Sequence, residues 1–155
     1  MKYDTATSSL APTIVRIPIW LYSSWDSYVK ENKLSSHGLI CWNPTGSYYT
    51  CKDNSKANDI DVVCFVRDPI KFADSIADKF ISTAVDSYRF FNGESSFLTF
   101  RGKLGAVSKE YNLIVTTDNV FYSRFVAATL LTKQLDIEKK EDRIAMFKLV
   151  MGDKT

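Results

Sequence analysis

Polar residues dominate positions 1 to 13, and the first apolar run, Ile14-Val15-Arg16-Ile17, is β-branched and halted by Pro18. That pattern predicts a polar, flexible lead-in over residues 1–13 and then a short edge strand. From Ile19 to Lys33, Leu21, Trp25, Tyr28 and Val29 recur at spacings of three and four, as in an amphipathic helix. Gly38 to Trp42 is a short apolar run that reads as a buried strand, and Asn43-Pro44-Thr45-Gly46-Ser47 after it reads as a turn. Residues 48 to 58 are polar and show no period.

Ile60 to Val66 is a continuous β-branched run, the mark of a central strand covered on both faces, so Ile60, Val62, Val63 and Phe65 are expected in the core. Arg67-Asp68-Pro69 ends it, with Asp68 placed to cap a helix and Pro69 to open it. That helix would carry Phe72, Ala73, Ile76, Ala77 and Phe80 on one side. Ser96 to Phe100 and Asn112 to Thr116 read as strands joined by a 102–108 loop. Asp118 to Gln134 and Lys139 to Met151 read as helices, the second lined by Ile144, Phe147, Val150 and Met151.

With 155 residues and no second set of core elements, the chain is expected to form one domain over 14–155. Its 45% hydrophobic and 25% charged residues are those of a globular protein. Twenty basic against eighteen acidic residues leave a formal charge of +2, which does not demand a polyanionic partner. Cys41, Cys51 and Cys64 form no C-x-x-C pair, and His37 is the single histidine. Reduced thiols in a cytoplasmic protein are the expectation, without a membrane span or signal core. His37 itself reads as a surface or strand-entry residue.

The chemistry concentrates between residues 46 and 61. Side chains at i and i+2 of a strand share a face, so Asp59 and Asp61 would project side by side while Ile60 enters the core. Two such carboxylates suit Mg²⁺, a hard cation that takes oxygen ligands and keeps several waters. A Gly-Ser turn at the end of the preceding strand offers backbone N–H groups and a hydroxyl to phosphate oxygens. Basic Arg89, Arg101, Lys103 and Lys109 border the central strands, where they would meet a triphosphate or form a solvated face. Tyr48 and Tyr49 would stack on a base or pack with their hydroxyls in water.

The stretch GSYYTCKDNSKANDIDVVCFV resembles the signature of the nucleotidyltransferase (polymerase β-like) superfamily, a Gly-Ser or Gly-Gly followed about a dozen positions later by Asp-x-Asp on an apolar strand. The resemblance implies an α+β fold, a small mixed β-sheet flanked by α-helices. It implies nucleotide binding by Gly46 and Ser47, and one or two Mg²⁺ ions held by Asp59 and Asp61, with a nucleoside triphosphate as substrate. The C-terminal stretch from Tyr111 to Val150 is similar to the tails of small nucleotidyltransferase-like proteins of tailed bacteriophages, which implies the host cytoplasm as location.

The chain departs from that pattern at several points. The superfamily's third carboxylate falls at Asn112, an amide, with Glu110 and Asp118 as fallback ligands near the same strand. The tRNA-processing branch has Gly-Gly and then Arg-Asp, where this chain has Thr45-Gly46 and Tyr49-Thr50. Three functions are consistent with these residues. The first transfers a nucleoside monophosphate from a nucleoside triphosphate to an RNA or protein acceptor. The second is a catalytically degenerate copy that binds a host protein, such as a component of a defence system, and inhibits it. The third is a nuclease-like site on the same aspartates.

Overall fold

The structure is a computed structural model that describes residues 3–7, 14–83, 97–105 and 107–152. Its centre is the run read from the sequence as a buried strand. β4 (Asp59–Val66) lies between β3 (Leu39–Thr45) and β7 (Glu110–Thr116), and the order continues through β6 (Phe97–Gly102) to β5 (Phe80–Ser82). β4 and β7 run parallel, and every other neighbouring pair in this five-stranded sheet is antiparallel. Ile60, Val62 and Val63 are fully buried and Phe65 nearly so, each such side chain contributing about 1.5–3 kcal/mol of apolar burial.

The strand pattern fills both faces. Ile60, Val62 and Cys64 share one face with Tyr111 and Leu113 across the parallel register. Against it lies α1 (Ile19–Glu31), whose Trp25 is fully buried and meets the rings of Trp42, Phe80 and Tyr111 at 6.2–6.4 Å. Phe65 and Phe97 point the other way, stacked on Tyr122 and Phe121 of α4 (Asn119–Gln134), each pair at 5.4 Å. α5 (Lys140–Met151) leans on α4 through the edge-on contact of Phe147 with Phe125 at 5.0 Å. The sheet is therefore sandwiched between α1 and the α4–α5 pair.

Asp68 caps α3 (Pro69–Ile76) by accepting the Lys71 N–H at 3.0 Å, with Pro69 in the first turn, worth about 1 kcal/mol to the helix. This helix is shorter than its apolar spacing predicts. It stops at Ile76, the Lys79 N–H bonds the Ile76 carbonyl at 3.1 Å, and Phe80 opens β5 instead of extending the helix.

Three further segments differ from expectation. Within the lead-in, Tyr3–Thr7 forms β1, paired antiparallel with β2 (Ile14–Pro18), so backbone pairing gives order to a stretch whose polar side chains suggested none. Asn43-Pro44-Thr45 is not a turn but the end of β3. β3 is an edge strand, where every second N–H points away from the sheet, and a proline is tolerated there. After it, α2 (Ser47–Thr50) replaces the irregular stretch, with the Gly46 carbonyl accepting from Tyr49 at 3.1 Å and Thr50 at 2.9 Å. Among the described residues no helix is long and apolar enough to cross a membrane.

Candidate functional site

Registered pairs across the sheet align Thr45, Asp61, Asn112 and Arg101 in one row, on the face that α4 and α5 cover. One step toward the strand start, Asp59 sits opposite Glu110. The two aspartates share a face, as their spacing requires. The Asn112 amide Nδ2 donates to Asp61 Oδ1 at 3.1 Å, and Arg101 Nη2 stands 3.4 Å from Asp59 Oδ2. Arg101 keeps 41% of its side chain exposed and Asp59 27%, so this pair is a weak one, worth at most about 1 kcal/mol.

Gly46 explains how Asp61 fits. Its backbone has φ +72° and ψ −180°, a region that side chains other than glycine's hydrogen rarely tolerate. A Cβ there would overlap Asp61 Oδ2 and stand 2.7 Å from Asp61 Cγ. The glycine of the Gly-Ser pair and the second aspartate of Asp-x-Asp, fifteen positions apart, are thus in direct apposition. Ser47 starts α2 beside them, a helix of one turn.

A cleft opens over this row. Its cavity volume is about 100 Å³, and Gly46, Asp61 and Asn112 line it beside Ile114, Phe125 and Phe147. Asp59 and Ser47 lie outside that lining. Burial pushes the Asp61 carboxyl up to about 6; the Asn112 hydrogen bond lowers it, the Asp59 charge raises it, and the guanidiniums of Arg101 and Arg143 lower it. At neutral pH Asp61 is mostly ionised.

The donor set fits one divalent cation better than two. Mg²⁺ at phosphate sites takes one or two carboxylates and completes its shell with phosphate oxygens and water, and Asp59 with Asp61 supplies that much. A second ion would need a third carboxylate, and position 112 in the row carries an amide. Among the described residues no three His, Cys, Asp or Glu side chains gather at one point. Asp118 is excluded as a fallback ligand. It caps α4 by accepting from Val120 at 2.9 Å and Phe121 at 3.2 Å, and at about 3.3 Å per strand residue it stands roughly 20 Å along from Asn112. Glu110 shares the register of Asp59 without completing such a group.

The other expected phosphate and base contacts scatter. Lys109 Nζ donates to the Ala57 carbonyl, Lys103 is exposed on the 102–108 loop, and Arg89 lies outside the described residues. Tyr49 is buried under Lys133, whose ammonium sits 4.5 Å from the ring centre, and Tyr48 meets Tyr22 edge-on at 5.9 Å. Both tyrosines pack rather than present a stacking face. His37 ends a short helical turn, Leu34–His37, ahead of β3. The cleft also gathers Thr50, Thr132 and Arg143, which no local sequence pattern singles out because three helices contribute them.

No protein-family model and no curated protein matches this chain. Among solved structures it is similar to the crystal structure of the conserved protein GrpB from Enterococcus faecalis, with a TM-score of 0.54 and 13% identity over 87% of this chain and 94% of that one. At that identity the likeness speaks to fold alone. The fold is the nucleotidyltransferase-like one, a five-stranded mixed sheet flanked by α-helices.

Proposed function

We propose that the cleft binds a nucleoside triphosphate together with one magnesium ion, and that the chain transfers the nucleoside monophosphate to an RNA or protein acceptor, with the bond between the α- and β-phosphates broken and pyrophosphate released. The observation that carries this reading is the apposition of Gly46 with Asp61, beside Asp59 on the same strand face. In this reading Gly46, lacking a side chain, lets the start of the Ser47 turn lie directly against the Asp61 carboxylate, which brings the Gly-Ser backbone beside the group that would hold the ion. Asn112 fixes the rotation of the Asp61 carboxylate through its 3.1 Å hydrogen bond. Arg101 occupies Asp59 until a cation displaces it, and is then free to turn toward phosphate. The ion, when bound, would offset the triphosphate charge and favour in-line attack at phosphorus. On the sequence resemblance of its C-terminal stretch alone, the protein is further proposed to be phage-encoded and to act in the host cytoplasm.

A second reading has its own support. Asp59 and Asp61 both have protein partners, Arg101 and Asn112, so each carboxylate is engaged without a metal, as suits a degenerate copy that binds and inhibits a host protein. The two readings separate in one assay. Wild-type protein and Asp59→Asn/Asp61→Asn are incubated with Mg²⁺, nucleoside triphosphates labelled at the α-phosphate, and RNA and protein acceptors. Label transferred by the wild type and lost in the double variant supports the enzyme. Absence of transfer from every nucleotide moves the weight to the protein-binding reading.

A further inference from the structure

Three threonines, Thr45, Thr50 and Thr132, line the cleft, and the last two are left without partners. Thr45 and Thr129 bond each other at 2.7 Å, and Thr129 also donates to the Phe125 carbonyl one helical turn back at 2.9 Å. Thr50 and Thr132 line the same cleft and are 4% and 0% exposed, yet neither hydroxyl has a hydrogen-bond partner. Buried hydroxyls are nearly always bonded, and Thr132 forgoes the back-bond its helix neighbour Thr129 makes. Lys133, next to Thr132, donates its Nζ to the carbonyl of Tyr49, next to Thr50, at 2.9 Å, which ties α4 to α2 where the two hydroxyls lie.

The same cleft is lined by the apolar side chains of Ile114, Phe125 and Phe147 and by Gly46, Asp61 and Arg143. A ligand that satisfies this lining has an uncharged planar body for the apolar walls and a polar edge for two hydroxyls. It also carries an anionic portion for Arg143 and the Gly46 side. Hydroxyls donate and accept, so they match a ring that bears both kinds of group on its edge.

We infer that the Thr50–Thr132 end of the cleft is the subsite for the nucleobase, so that base contacts here, and not the phosphates alone, select a nucleoside triphosphate. This rests on the proposed function above, because it takes the phosphates to lie at Gly46 and Asp61. Thr50 and Thr132 bind the base edge, and Phe125 and Phe147 exclude water from it.

The test compares Mg²⁺-tripolyphosphate with the four Mg²⁺-nucleoside triphosphates by calorimetric titration of the full chain, as wild type, Thr50→Val, Thr132→Val and both. Valine keeps the threonine shape and removes the hydroxyl. The wild type should bind at least one nucleoside triphosphate more tightly than tripolyphosphate. Each valine should reduce that surplus about three- to tenfold, the weight of one neutral hydrogen bond, while tripolyphosphate binding stays unchanged. Equal wild-type affinity for tripolyphosphate and every nucleotide would overturn the base subsite and leave the phosphate–metal reading standing. So would a surplus that survives both valines, which would assign the two hydroxyls to ordered water. Binding of neither probe would overturn the phosphate–metal reading, and the base subsite with it.

Discussion

Gly46 lies against the carboxylate of Asp61 so closely that a Cβ would stand 2.7 Å from Asp61 Cγ and overlap Oδ2. Two constraints coincide there, the φ of +72° and the missing space. Gly46→Ala is expected to cost about 2–4 kcal/mol, with the backbone region alone accounting for roughly 1–3 kcal/mol. Urea unfolding at pH 7.5 measures it. A loss under about 0.5 kcal/mol would mean that the chain relaxes away from Asp61 freely, and the apposition would carry no functional weight.

Asp61 makes the metal-free protein less stable as pH rises. Its carboxyl is pushed from 3.8 to about 6 by burial, so between those values the folded state holds a proton that the unfolded state has lost. Stability from this group is full below about pH 4 and falls as pH rises through 6, by on the order of 2–3 kcal/mol for a shift of that size. Asp61→Asn removes the charge and is expected to raise the melting temperature at pH 7.5, with the gain shrinking toward pH 4.5. A gain that is equal at both pH values, or a loss at pH 7.5, would contradict the buried charge.

Asn112→Asp places a third carboxylate beside Asp61 in the row. Without metal, two carboxylates at the present 3.1 Å separation repel, and a loss of about 1–3 kcal/mol is expected at pH 7.5. Mg²⁺ should recover much of it, raising the melting temperature of Asn112→Asp more than that of the wild type. Equal responses to Mg²⁺ would show that the row does not converge on a cation.

The parts of this site that were legible in the sequence are those set by local rules. The β4 run, the shared face of Asp59 and Asp61, and the Asp68-Pro69 helix start depend on two- to four-residue patterns, which tertiary contacts do not override here. Pro44 misled because a proline after an apolar run is turn chemistry anywhere except on an edge strand, and edge position is a property of the sheet. Phe80 misled because three- and four-residue spacing continues through the turn that ends α3. Thr50, Thr132 and Arg143 were illegible for a different reason. They reach the cleft from α2, α4 and α5, and only the packing of α4 and α5 over the Asp61 row brings them together. The partners of the aspartates, Arg101 and Asn112, come from β6 and β7, so their pairing required the strand order.

The most direct test of the central claim, that Asp59 and Asp61 hold a divalent cation with a triphosphate, is a set of melting curves. Wild-type protein and Asp59→Asn/Asp61→Asn are melted with and without Mg²⁺-ATP, Mg²⁺-CTP, Mg²⁺-GTP and Mg²⁺-UTP, each variant against its own ligand-free curve. A ligand bound only to the folded state at about one hundred times its dissociation constant adds about 2.7 kcal/mol, roughly 5 to 10 °C for a domain of this size. The account predicts such a shift in the wild type with at least one nucleotide, dependent on Mg²⁺, and none in the double variant. Equal shifts in both proteins, or no shift in the wild type with any nucleotide, would contradict it.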